Sequence, residues 1–275
     1  MKKILGILAI LTIAIFTLAG CGQQASKGGG SGAGKITTIK VGATPVPHAE
    51  LLEKVKPILE KQGIKLEIVE FNDYVQPNLA LNDGDIDANF FQHKPYLDNF
   101  VKEHPEMKLA NVAGIHIEPM GIYSHKVKNL NDLKDGSLVA IPNDPTNGGR
   151  SLLLLEKAGV IKLREGAGVE ATVKDIAENP KHLQFKEVEA AQVPRTLDDV
   201  AIAVINTNFA MQVNLVPTKD ALFIEDSTSP YVNILVVKNG SEDRPEIQAL
   251  VKALQSQEIK DFINEKYKGQ IVAAF

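Results

Sequence analysis

Between Phe71 and Tyr96 the chain reads FNDYVQPNLALNDGDIDANFFQHKPY, which brings Tyr74, Phe90, Phe91, His93 and Tyr96 close together in a protein with no tryptophan and only five tyrosines. A polar turn at Asn82 to Asp85 leads into a short apolar run, Ile86 to Phe91, and a proline-started helix opens at Pro95. Aromatic rings and an imidazole therefore gather at the end of one strand, where open α/β sheets carry their pockets. Adjacent strand residues point to opposite faces, so one of Phe90 and Phe91 belongs to the core. A histidine beside a lysine is equally often a solvated side chain, so His93 is a ligand-contact candidate through its aromatic company, not on its own.

A second set of candidates follows the apolar strand Leu138 to Pro142. Here a polar loop, Asn143 to Arg150, is expected to precede an apolar helix over Ser151 to Ala158. Strand, glycine-containing loop and helix N-terminus make an anion pocket from unpaired N–H groups and the positive end of the helix dipole. No Lys-Ser/Thr pair of the Walker kind accompanies it, which points away from a nucleotide and toward a small carboxylate. Arg150 would hold that carboxylate as a bidentate fork, a geometry lysine lacks. The alternatives are a surface Arg150 and an Asn147 that serves a turn or helix cap. A third candidate closes the strand Ala201 to Ile205: Asn206 could hydrogen-bond either end of a small zwitterion, or brace its loop. His48, in the first turn of a helix, could face the same crevice, although a solvated cap position fits it slightly better.

Other chemistries are poorly supplied. An enzyme needs a nucleophile or an acid–base pair; His93 with Asp73 is the available pair, and there is no G-x-S-x-G motif. A metal site would draw on His48, His93, His116 and His125, whose spacing contains no local H-x-x-x-H pair.

The N-terminus sets the compartment. MKK, the apolar run Ile4 to Phe16 and the small-residue site ending in Cys21 form an export signal too short to span a bilayer comfortably. Cys21 is the only cysteine, and LAGC looks like the lipobox of a bacterial lipoprotein, in which the thiol carries the lipid. We expect a signal peptide over 1–20 and then a lipidated Cys21 leading a Gly/Ser tether over 21–34. Beyond these, about 240 residues can build a large core without a disulfide. Removing Lys2 and Lys3 with the signal takes the formal charge from -4 to -6. With no arginine-rich stripe, that balance argues against a nucleic-acid partner.

The elements that must position the candidates read as α/β. Ile36 to Thr44 is expected as a strand, Pro47 to Lys61 as an amphipathic helix, and Ile64 to Phe71 as the next strand. Further strands are expected at Leu109 to Ile115, Glu118 to Ser124, Phe185 to Glu189 and Tyr231 to Val237, with helices at Glu170 to Glu178, Glu246 to Gln255 and Glu258 to Tyr267. Pro119 and Gly121 suit a connector between lobes. The pattern gives two lobes joined by two connector segments, crossing near Gly121 and Ser229: lobe 1 over 35–120 and 230–275, lobe 2 over 121–229.

Several long motifs, in order, resemble the methionine-binding lipoproteins of bacterial ABC importers, the NlpA family. They are FNDY at Phe71, GDIDANFFQHKPYL at Gly84, IPNDPTNGGRSLLLLEKAG at Ile141, VPRTLDD at Val193, AVINTNFA at Ala203 and SPYVNILV at Ser229. The resemblance implies a two-lobed periplasmic-binding-protein fold with the ligand held in a cleft between the lobes. It implies a side-chain pocket of Tyr74, Phe91, His93 and Tyr96 around a methionine thioether, whose polarizable sulfur suits aromatic walls. Arg150 and Asn147 would hold the carboxylate, Asn206 would help fix the amino-acid end, and Tyr231 lies on the returning strand. It further implies no cofactor, no catalysis and delivery to a transmembrane permease with a cytoplasmic ATPase. The protein would be held on the extracytoplasmic side of the cell membrane by its lipid alone. D-methionine, a methionine-containing dipeptide or another small amino acid are the alternative cargoes.

Overall fold

Residues 36–226 and 228–275 are described in a computed structural model. The expected signal peptide, Cys21 and the tether lie outside these residues.

The chain opens with β1 (Thr37–Ala43), a turn over Pro45–Ala49, α1 (Glu50–Glu60) and β2 (Ile64–Glu70), then α2 (Gln76–Asp83), β3 (Ala88–His93) and α3 (Lys94–Glu103). β2 and β3 both pair with β1 in parallel, one on each side. That arrangement makes β1 a switch point, and the crevice at such a point lies beyond the carboxyl ends of the strands. β4 (Leu109–Ile117) then leads to β5 (Gly121–Tyr123), β6 (Leu138–Pro142), α4 (Pro145–Lys157), the small pair β7 (Lys162–Leu163) and β8 (Ile176–Glu178), and β9 (Gln184–Val188). β10 (Ile202–Ile205), α5 (Thr207–Gln212), α6 (Pro217–Asp220) and β11 (Phe223–Ile224) follow. β12 (Val232–Lys238), α7 (Pro245–Leu254), α8 (Gln257–Tyr267) and β13 (Val272–Ala273) close the chain.

Two large sheets result, ordered β13-β4-β12-β3-β1-β2 and β11-β5-β10-β6-β9. The chain leaves the first sheet between β4 and β5 and returns between β11 and β12. Strand side chains alternate between the two faces, as period-2 geometry requires. Leu235 and Val237 of β12 join the core under α1, α7 and α8, whereas Ile234 and Val236 face Leu81 and Leu97 on the other side. In the second sheet Val139, Ile141, Ile202 and Val204 pack on Leu152 and Leu155 of α4, while Ala140, Ala203 and Ile205 meet Val193, Leu197 and Phe209. Each such fully buried aliphatic side chain contributes about 1.5–3 kcal/mol relative to exposure.

Two expectations fail for local reasons. The helix expected from Ser151 begins at Pro145, with Asp144 as N-cap. Gly148 and Gly149 are therefore helix residues, and a Cβ on Gly149 would meet Val169 O at 2.2 Å. They are packing glycines, not turn glycines. The helix expected over Glu170 to Glu178 is instead a single tight turn, Val173–Asp175, followed by β8. Asp175 there accepts from both the N–H and the hydroxyl of Thr172 at 2.8 and 2.7 Å, local bonds that compete with a helix.

Candidate ligand-binding site

Two parallel strands in each large sheet carry polar residues at or just after their carboxyl ends. Thr44 and His48 follow β1, His93 ends β3, Asp144 and Asn147 follow β6, and Asn206 and Thr207 follow β10. Between the two sheets these strand ends border a small cavity. Tyr74, Phe91, Gln92, His93 and Tyr96 line it from the first lobe, with Glu118 and Asn233; Asn147, Arg150, Asn206 and Thr207 line it from the second. Seven of the eight ligand-contact residues expected from sequence thus come together. Tyr231 is not in the lining: its ring lies under the Arg150 guanidinium, 4.1 Å from Cζ, and beside His93 at 5.0 Å.

One end of the cavity is aromatic. The Tyr74 ring lies 5.9 Å from Phe91 and 5.7 Å from Tyr96, and the Tyr96 hydroxyl donates to Tyr74 O at 2.9 Å. Phe90, on the opposite face of β3, belongs to the main core. His93 caps α3: its Nδ1 accepts from Tyr96 N at 3.1 Å. Nε2 therefore carries the proton and donates to Asn147 Oδ1 at 3.0 Å across the cleft. Burial first, then the charge of Arg150, push the His93 imidazole down to about 3, so it is neutral.

The other end is polar. Asn147 Oδ1 also accepts from Asn206 Nδ2 at 2.8 Å, and Asn147 Nδ2 donates to both Asp144 oxygens at 3.0 Å. Its amide is fully engaged, so Asn147 joins the lobes instead of offering a free group. The N-terminus of α4 is likewise occupied, because Asp144 Oδ1 accepts from Asn147 N at 2.9 Å. The expected helix-end anion pocket is therefore filled by the protein's own carboxylate. The Arg150 fork is also taken: Nε and Nη2 donate to Glu225 at 2.8 and 2.5 Å, and Nη2 to Glu118 O at 2.7 Å. Nη1 is left with no partner among the described residues. Asn206 Oδ1 is buried without a donor among the described residues. Glu118 is buried, its pKa raised by desolvation against the pull of His48, Arg150 and the Asn208 N–H.

Sequence reading missed Glu118, Asn233, Gln92 and Thr207. A signal existed for two of them: Asn233 interrupts the apolar strand YVNILVV, and Gln92 interrupts FFQH. Gln92 is itself saturated by Asn78 and Asn89. His48, expected as a solvated cap residue, is fully buried. It converges with His116 and Glu118, three ligand-type atoms within 4.8 Å. His93 and His125 are not part of that cluster. A metal-ligating histidine almost always gives its second N–H to an acceptor, whereas His116 Nδ1 has no partner among the described residues. The donor set fits a hydrogen-bonded network better than a metal.

The cavity thus presents an aromatic wall at one end and, at the other, a cationic donor, a buried carboxylate and an unpaired amide oxygen. That combination matches a small zwitterion with an apolar side chain. No described helix is long and apolar enough to cross a membrane.

Comparison with known proteins agrees with this chemistry. The chain is 49% identical over 263 residues to a D-methionine-binding lipoprotein MetQ of Salmonella typhimurium, covering 94% of each. It is 48% identical over 263 residues to the protein of the same name in Escherichia coli, again covering 94% of each. A nutrient-binding protein from Burkholderia cenocepacia, solved bound to methionine, superposes with a TM-score of 0.83 at 51% identity, covering 86% of this chain and 100% of that one. The profile described as NlpA lipoprotein matches residues 39–275, and the chain belongs to that family.

Proposed function

We propose that this protein captures methionine, or a close amino-acid relative, and delivers it to an ABC import permease without catalysing any reaction. The observation that carries the reading is the two-ended cavity. In this reading Arg150 Nη1 would take the carboxylate, Glu118 and Asn206 Oδ1 the ammonium, and Tyr74, Phe91, His93 and Tyr96, which line the cavity, would surround the thioether. Sulfur against ring edges gains contact energy without needing a hydrogen-bond partner. The names of the relatives support the same ligand.

Residues 35–120 with 230–275, and 121–229, act as the two lobes. Closure around the ligand is a two-state hinge, driven by contacts that exist only in the closed form. Cys21 carries the lipid that holds the protein outside the cytoplasmic membrane, where it meets the permease and its cytoplasmic ATPase. Non-catalytic capture is favoured by the lining itself. It holds no Ser, Cys or Lys nucleophile, and both nitrogens of His93 are engaged.

The test is calorimetric titration of the full chain in detergent, unfolded and refolded to strip carried-over ligand, with L-methionine, D-methionine and glycyl-methionine. Micromolar or tighter binding to one of them is expected and names the cargo. Silence toward all three would return the ligand to an open search among small carboxylates.

A further inference from the structure

Glu118 reaches the cavity from the connector after β4; His116 Nε2 and Asn208 N donate to its carboxylate, and His48 Nε2, hydrogen-bonded to Asn233 Oδ1, lies beside it. His116 Nε2 lies 2.8 Å from Oε1, His48 Nε2 lies 3.3 Å from the same oxygen, and Asn208 N donates to Oε2 at 3.1 Å. The partners fix both tautomers. His48 Nδ1 sits 2.7 Å from the Thr44 hydroxyl, which can donate, while Nε2 faces two acceptors, Glu118 Oε1 and Asn233 Oδ1 at 3.0 Å. Its proton is on Nε2. His116 Nδ1 is buried without a partner among the described residues. An unused lone pair there costs less than an orphaned N–H, so this proton is also on Nε2. Both rings stand edge-on to Phe90, at 4.7 and 5.4 Å, which holds their orientation.

Burial pushes His48 down to about 4 and His116 down to about 3, so both are neutral at ordinary pH. The distinction matters for Glu118. A neutral N–H stabilises a buried anion by hydrogen bonding without cancelling its charge, whereas a lysine or arginine in the same place would cancel it. Arg150, the nearby cation, already gives two nitrogens to Glu225.

We infer that His48 and His116 are positioning residues for the cationic end of the ligand: the His116 Nε2–H bond, and the His48 N–H dipole beside it, keep the buried Glu118 carboxylate ionised and aimed, leaving its charge to receive an α-ammonium. This rests on the amino-acid reading above. His48 also turns Asn233 so that the amide nitrogen, not the oxygen, is free for the cavity. The titratable and charged groups facing Glu118 are His48, His116, Arg150, Tyr74 and Tyr267. Removing either imidazole donor makes the carboxylate harder to ionise.

The experiment compares L-methionine with 4-(methylthio)butanoate, which lacks the amine, on refolded full-length protein across pH 5 to 8. In the unaltered protein methionine should bind at least tenfold more tightly than the des-amino analogue. In His116→Leu and His48→Leu that preference should collapse to within about threefold through loss of methionine affinity alone. The pH below which methionine binding weakens should also rise by about one unit. His116→Gln, which restores an N–H near Nε2, should recover most of the preference. Equal losses for both ligands with an unmoved pH profile would reduce the histidines to packing and overturn the inference, as would an undiminished preference in the leucine variants. If a leucine variant does not fold, His116→Asn and His48→Asn, polar but too short to reach Glu118, are read against the same outcomes. An unaltered protein that binds no amino acid at all would instead sink the amino-acid reading, and this inference with it.

Discussion

The Tyr74 hydroxyl donates a 2.6 Å hydrogen bond to Asn208 Oδ1, and its ring centroid lies 4.9 Å from that of Phe209. One side chain of the first lobe is thus held by two consecutive residues of the second, at the aromatic end of the cavity.

Tyr74→Phe removes the hydrogen bond and keeps the ring. A neutral hydrogen bond contributes about 0.5–1.5 kcal/mol net, so methionine affinity should fall roughly two- to tenfold, mainly through faster release. Tyr74→Ala also removes the wall against Phe91 and Tyr96, and should weaken methionine far more than alanine. Stopped-flow dissociation and paired titrations measure both; equal losses for the two amino acids would take the ring out of the side-chain pocket.

Arg150 is braced on three sides, by Glu225, by Glu118 O and by the Tyr231 ring. Lysine cannot reproduce a fork that bridges a carboxylate and a carbonyl while stacking on a phenol. Arg150→Lys and Arg150→Ala should therefore both lose about 3–5 kcal/mol of ligand affinity, and Arg150→Ala should also leave Glu225 uncompensated, lowering the melting temperature as well. Ligand affinity within twofold of the parent in Arg150→Lys would contradict this.

How far the site could be read in advance depends on the range of each interaction. The parallel strands were legible as apolar runs, because LVAIP and AIAVI pack on both faces, and the aromatic cluster around β3 is local. His48 was not legible. Its partner Asn233 is 185 residues away, and nothing near position 48 reveals that the ring is sealed from solvent. The same holds for Arg150, whose fork is filled by Glu225, 75 residues along the chain. Gly148 and Gly149 read as a loop because glycine's usual meaning is conformational freedom. Here its use is absence of bulk, which depends on a segment twenty residues downstream.

That bulk argument is testable. A Cβ on Gly149 would sit 2.2 Å from Val169 O and 2.8 Å from Ala171 N, backbone atoms that cannot swing aside, whereas one on Gly148 would sit 3.0 Å from Pro142 O. Gly149→Ala should destabilise by about 1–3 kcal/mol or more through overpacking, a fall of roughly 2–4 °C in melting temperature per kcal/mol for a domain of this size. Gly148→Ala should be milder, since helix propensity favours alanine by about 1 kcal/mol and partly offsets the contact. Thermal melts of the two variants decide it; equal effects would mean the 168–171 segment moves away.

Acid stability follows from the three buried imidazoles. His48 is held near 4, and His93 and His116 near 3, by burial first of all, whereas in the unfolded chain each titrates near about 6.5. Below that value the unfolded state binds more protons, so stability is fully present above it and is lost as pH falls toward the folded values. Each histidine adds up to about 1.4 kcal/mol of loss per pH unit in that window. Glu118, whose folded pKa is raised, works the other way: the folded state gains protons earlier than the unfolded one and recovers part of the loss near the acid end. Denaturant unfolding at pH 5, 6, 7 and 8 should therefore show a steep decline between 7 and 5 in ligand-free protein. His93→Gln, which keeps a side-chain N–H for Asn147 but cannot titrate, should flatten that decline by up to about 1.4 kcal/mol per unit. A slope unchanged by the substitution would mean that His93 titrates in the folded protein as it does in the unfolded chain, and so is not sealed from solvent.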